Sequence, residues 1–151
     1  FGFFGKIRSA LFSGATGNSA LMEYKIAKSA LKNKSLEYLY TLFLVNSPSK
    51  ILTVLNILLE EKNFPVVFFC SGGKDRTGII TMLVQGCCQE SEEFIIDSYH
   101  ESEEKLKIVA EKLHEENVRD GLDPVLYATT PRSVMSNLLA IIKEKWGGIP
   151  E

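Results

Sequence analysis

Residues 70 to 78 read Cys70-Ser71-Gly72-Gly73-Lys74-Asp75-Arg76-Thr77-Gly78, which sets a thiol and a guanidinium at the two ends of one tight loop. The flanks of that loop constrain the fold. Residues 64–69, with Pro65, Val66, Val67 and Phe68 inside, are short, apolar and β-branched, the pattern of a buried parallel strand. Residues 77–88 carry Ile79, Ile80, Met82, Leu83 and Val84 and read as a buried helix. A strand, a glycine-bearing loop and a helix N-terminus together make an anion cradle, because backbone N–H groups and the positive end of the helix converge on the loop.

Each loop position suits a doubly charged phosphate monoester. The N–H groups from Ser71 to Arg76 can point inward at phosphoryl oxygens, and Gly72 and Gly73 allow the required dihedrals and a close approach of the ligand. Arg76 supplies a planar fork that grips two oxygens, which a lysine could not do. The same donors and the helix terminus favour the thiolate of Cys70, giving a nucleophile at neutral pH. The Thr77 hydroxyl either eases departure of the sulfur from a phosphocysteine intermediate or caps the helix.

The leaving oxygen needs a proton. No aspartate precedes Cys70, so Asp75, next to the arginine, leads as general acid and then as base toward water. Asp97 falls in a helical pattern, and Asp120 and Asp123 in a turn-rich loop that could fold over the site. Glu23, Glu37, Glu60 and Glu61 read as solvated helix positions.

The run Cys-x-x-Gly-Lys-Asp-Arg-Thr-Gly resembles the signature of the cysteine-based protein tyrosine phosphatase superfamily. Its Gly73-Lys74-Asp75-Arg76-Thr77-Gly78 form is similar to the microbial tyrosine-protein phosphatase group, PtpB-like. Residues 93–99 resemble that family's next helix and residues 130–148 its closing helix, so the likeness covers roughly Leu36 to the end. The resemblance implies phosphatase action on phosphotyrosine proteins, in some members on phosphoserine or phosphothreonine, and often on phosphoinositides. It makes Cys70 the nucleophile, Arg76 the phosphate clamp, Asp75 the acid and Lys74 a contact for a second phosphate. One departure is Phe69, where the family has a histidine that organises hydrogen bonds around the thiolate. On that ground Cys70 is expected to be less acidic and turnover slower.

The expected architecture is α/β: a central, mainly parallel sheet flanked by helices, with the N-terminal strands missing from this chain. Residues 1–151 are accordingly expected to be a single phosphatase-like domain, the C-terminal part of a longer one, unless further strands lie in residues 1–13. Helices are expected over 19–31 and 35–45, and from Ser47-Pro48, with serine as cap and proline in the first turn. That third helix carries Ile51, Leu52, Val54, Leu55, Ile57, Leu58 and Leu59 and is expected to pack on the sheet. An amphipathic pair is read over 90–115. A final helix begins at Thr130-Pro131, buries Leu138, Leu139, Ile141, Ile142 and Trp146, and stops at Gly147-Gly148.

Composition agrees with one globular unit: 151 residues, 45% hydrophobic and 24% charged, can bury a substantial core. A net charge of −2 weighs against a nucleic-acid partner. No charge-free apolar run approaches the roughly 18 residues of a membrane span, which leaves only peripheral membrane contact. Three cysteines, two of them adjacent at Cys87-Cys88, do not make a disulfide framework and suggest a reducing, cytoplasmic setting. Cys87 and Cys88 read as core thiols, His100 and His114 as exposed helix residues, and Arg119 and Arg132 as surface residues. No His and Cys spacing suits zinc, so neither metal nor cofactor is expected.

Two readings compete. The first is a phosphoric monoester hydrolase working through a phosphocysteine intermediate. The second is a phosphate-binding module with little turnover, favoured by Phe69. An arsenate reductase or a rhodanese-like sulfur carrier shares only the cysteine loop and has no need of Lys74 or Asp75.

Overall fold

Ser35 opens the first helix among the described residues, its hydroxyl accepting the Tyr38 N–H at 3.3 Å. This helix, α1 (Leu36–Asn46), buries Leu36, Leu39, Tyr40 and Phe43, one stripe at i, i+3, i+4 and i+7. The structure, a computed structural model, describes residues 34–70, 72–120 and 123–150. The helix expected over 19–31 and any strand in 1–13 lie outside those residues.

Helix α2 (Pro48–Leu59) follows at an 80° bend. Pro48 takes the first turn as expected, but the Ser47 side chain makes no capping bond; its carbonyl instead accepts from the N–H groups of Lys50 and Ile51. No residue of α2 is fully buried, and Leu52, Ile57 and Leu59 are exposed. No single described helix is long and apolar enough to cross a membrane, although α1 and α2 together pass that test by length and composition across their bend.

The sheet is the main correction. Every regular element among the described residues is helical, and residues 64–69 are not a strand. Their apolar, β-branched composition does favour an extended backbone, but no second extended segment lies beside them among the described residues, and without a partner there is no ladder. Val66 and Phe68 are half-buried, whereas Val67 and Phe69 stand 85% and 82% exposed. Among the described residues helix α2 has no sheet to pack on, and it rests against α1 and the next helix, α3 (Asp75–Cys87).

Helices α4 (Glu92–His100), α5 (Ser102–Leu106) and α6 (Ala110–Asp120) occupy the region read as an amphipathic pair, with a 3₁₀ turn at Lys107–Val109 between the last two. Ser91 caps α4 through the Phe94 N–H, and Glu92 and Glu93 sit in its first turn, where their charge suits the helix dipole. After a further 3₁₀ turn at Leu126–Ala128, helix α7 (Arg132–Trp146) is the last described element. Gly147 ends it at φ 83°, its N–H donating to the Lys143 carbonyl, the expected stop signal. The expected burial holds for Leu138, Leu139 and Ile142, while Ile141 is half-buried and Trp146 exposed.

The core is one helical cluster in which α7 packs against α1 and α4, and α3 against α1, α2 and α4. Gly78 permits one of these approaches, since a Cβ there would sit 3.1 Å from the ring of Tyr99 on α4. Met135→Ala or Leu138→Ala, both at fully buried positions, should cost about 2–5 kcal/mol in urea denaturation. Leu59→Ala, on the exposed face of α2, should stay within about 0.5 kcal/mol.

Candidate active site

The loop from Cys70 is closed on itself at both ends. The Gly73 N–H donates to the Cys70 carbonyl at 3.2 Å, with Gly73 at φ 63°, a left-handed turn that favours glycine. The Cys70 N–H donates to Thr77 Oγ1 at 3.0 Å, tying the thiol residue to the first turn of α3. The Lys74 carbonyl starts that helix by accepting the Gly78 N–H. Ser71 lies outside the described residues. Gly72 is half-buried, and a Cβ on it would meet Leu113 of α6 at 3.3 Å.

Cys70, Arg76 and Thr77 line one open cleft of about 270 Å³, walled by Phe43, Phe68 and Phe69. Lys50 of α2 lines it too. The Cys70 thiol is half-buried, and burial opposes its ionisation. Even so the Thr77 hydroxyl and N–H, the Arg76 charge and the Lys74 N–H outweigh burial and hold it below the ordinary thiol value. The Thr77 oxygen thus accepts from the Cys70 amide while its hydrogen serves the sulfur. Phe69, largely exposed at the cleft's edge, supplies no hydrogen bond in place of a histidine; the lowering comes from the loop and α3.

Lys74 and Asp75 are placed differently. Lys74 is only 3% exposed, and its ammonium lies 3.0 Å from the Thr129 carbonyl and 3.1 Å from Asp75 Oδ1. The same Asp75 oxygen accepts the Tyr40 hydroxyl at 2.7 Å, and the Tyr40 and Tyr99 hydroxyls are 2.7 Å apart. Neither Lys74 nor Asp75 lines the cleft that holds Cys70 and Arg76. Burial first, then the Asp75 charge and Tyr99, push the Tyr40 hydroxyl well above its usual range. Burial likewise raises Tyr99, so both phenols stay protonated. Burial and the Asp75 charge raise Tyr127 as well.

The two tyrosines were not singled out from the sequence. Tyr40 has the spacing of a core residue in α1, and its hydroxyl in an otherwise apolar stripe was the available signal. Other residues separate from the cleft. Arg132 pairs with Glu93 and Asp97. Asp123 Oδ1 caps the turn at Val125 and Leu126. The Asp120 side chain is not among those described. Glu37 holds Asn137, and Glu60 pairs with Lys62.

His100 ends α4 with its side chain 44% exposed, and its Nδ1 lies 2.9 Å from the carbonyl of the fully buried Thr130. One smaller expectation is corrected. Cys87 and Cys88 are exposed rather than core thiols, since they fall at the C-terminal end of α3, beyond its packed face. The thirteen residues of α3 put about 20 Å of helix between them and the loop. Among the described residues no three of His, Cys, Asp and Glu gather as a metal-binding group.

A family model described as "Tyrosine phosphatase family" matches residues 9–151, nearly the whole chain. The chain belongs to the tyrosine phosphatase family. No solved structure gives a significant match. Membership supports phosphatase activity in general terms.

Because Thr77 opposes the effect of burial on the thiol, Thr77→Val should shift the pH midpoint of Cys70 alkylation by iodoacetamide upward. The alkylation rate at neutral pH should fall with it.

Proposed function

We propose that this tyrosine phosphatase family member hydrolyses phosphate monoesters through a phosphocysteine intermediate. The observation that carries the reading is one cleft shared by Cys70, Arg76 and Thr77, with the thiol held toward its ionised form. The Cys70 thiolate attacks phosphorus, and the bond from phosphorus to the ester oxygen breaks as the new P–S bond forms. Arg76 grips two phosphoryl oxygens throughout, with the Gly72 N–H as a further donor, while the Gly73 N–H stays on the Cys70 carbonyl and closes the turn. Water then attacks the phosphocysteine, the P–S bond breaks, and the returning thiolate is met by the Thr77 hydroxyl.

Asp75 is the proposed proton donor to the leaving oxygen and then the acceptor from water. Its side chain is 28% exposed and stands one residue before Arg76. With Oδ1 engaged by Tyr40 and Lys74, it would act through Oδ2, directly or across one water. Lys74, held by Thr129 and Asp75, is not proposed as a contact for a second phosphate.

The proposed substrates are phosphotyrosine proteins first, with phosphoserine or phosphothreonine proteins and phosphoinositides as the wider class. The aromatic walls Phe43, Phe68 and Phe69 favour an aryl ester, whose ring can stack against them. Phe69 in place of a histidine, and an Asp75 oxygen already engaged, favour the second reading, a phosphate-binding module of little turnover.

Phosphate release from a phosphotyrosine peptide and from a phosphoinositide separates these readings. Cys70→Ser should abolish release while retaining phosphate binding. Arg76→Lys should lower kcat/KM by about 10²-fold or more and weaken binding too, as loss of a transition-state donor does. Tight phosphate binding with no Cys70-dependent release from either substrate would establish the binding module instead.

A further inference from the structure

A carboxylate that must meet a leaving oxygen has two rotatable bonds to its carboxyl group, and a displacement of about 1 Å can cost 10²-fold in rate. Asp75 does not hold its own position. Tyr40, fully buried on α1, donates its hydroxyl to Asp75 Oδ1 at 2.7 Å, and the Lys74 ammonium approaches the same oxygen. A phenol has one hydrogen, so with that of Tyr40 given to Asp75, the 2.7 Å contact between the two hydroxyls must be donated by Tyr99. The chain runs Tyr99 to Tyr40 to Asp75. The two rings meet edge to face, with centroids 6.2 Å apart and planes at 87°, which fixes both hydroxyls from the core side.

A purely apolar role does not account for these hydroxyls. Phenylalanine at 40 would fill the stripe of Leu36, Leu39 and Phe43 without burying a polar group. The hydroxyls instead join α4 and α1 to the one carboxylate adjacent to Arg76. We infer that Tyr40, supported by Tyr99, is a positioning residue that orients Asp75 for proton transfer to the leaving group, an inference that rests on the proposed role of Asp75.

The test compares kcat/KM on two aryl phosphates. 4-Nitrophenyl phosphate releases a phenolate that needs no proton, whereas phenyl phosphate releases one that does. General-acid catalysis is typically worth about 10²–10⁴-fold, so Tyr40→Phe, which loosens the acid without removing it, should lower kcat/KM on phenyl phosphate about tenfold. Its kcat/KM on 4-nitrophenyl phosphate and its inhibition by vanadate should change by no more than about twofold, because the thiol, Arg76 and the loop donors are untouched. Tyr99→Phe leaves the bond from Tyr40 to Asp75 in place and should show a smaller loss of the same kind. Adding Tyr40→Phe to Asp75→Asn should cost nothing further on phenyl phosphate, as expected when one residue acts through the other.

Equal losses on the two esters, or weakened vanadate binding, would make Tyr40 a general structural residue and overturn the inference. So would an unchanged Tyr40→Phe beside an impaired Asp75→Asn. If Asp75→Asn itself shows no selective loss on phenyl phosphate, the acid assignment fails and the positioning role falls with it. Phenylalanine keeps the ring and its packing at both positions, and thermal melting of each variant confirms that the fold persists.

Discussion

The hydrogen bond from the Cys70 amide to the Thr77 hydroxyl joins a segment without regular structure to a well-packed helix, and the geometry of the site depends on it. Residues 64–70 have no ladder to hold them among the described residues. What fixes the thiol is therefore this bond, the turn closed at Gly73 and the start of α3 at Lys74. Helix α3 is fixed in turn by Ile79 and Met82 in the core and by the close approach of Tyr99 over Gly78. Packing of α3 against α1 and α4 thus reaches the sulfur through the first turn of α3, with the Thr77 hydroxyl as its side-chain link. That hydroxyl also helps stabilise the thiolate, so position and ionisation of Cys70 have a common source.

The loop was legible in the sequence because its residues are chemically restrictive. A thiol, two glycines, an arginine and a threonine at fixed offsets have few purpose-free explanations, and the family match over residues 9–151 agrees with what they imply. Helices with strong signals were legible too: α7 has an apolar stripe and a glycine stop, and α4 falls in the charged, amphipathic stretch read over 90–115. The run at 64–69 misled because apolar β-branched composition reports a preference for extended backbone and not the presence of a partner to pair with. Pairing is decided by chain segments distant in sequence, which a local pattern does not contain.

The other misreadings share that cause. Cys87 and Cys88 were read as core thiols from the general tendency of cysteine to be buried. Whether they are buried depends on what covers the end of α3, and they are exposed. His100, read as an exposed helix residue, keeps its side chain 44% exposed, and its contact with the Thr130 carbonyl, 30 positions downstream, has no local signal. Tyr40 and Asp75 are 35 residues apart, and Tyr40 and Tyr99 are 59 apart. No local signal could have joined them.

Lys74 shows how burial can change the role of a motif residue. An ammonium removed from water is costly unless it is paired, and losing one partner of a buried pair is typically worth about 3–5 kcal/mol. Lys74 meets that requirement with the Thr129 carbonyl on one side and Asp75 on the other. To reach a second phosphate it would have to leave both, and Asp75 would lose the cation that, with Tyr40, engages its Oδ1. Any gain from a new ion pair at the more exposed cleft would be set against those losses, and exposed pairs are worth only about 0–1 kcal/mol. The balance keeps Lys74 inside, where it links the start of α3 to the segment entering α7. Among the described residues, the cations that line the cleft are Arg76 and Lys50, on the two packed helices α3 and α2.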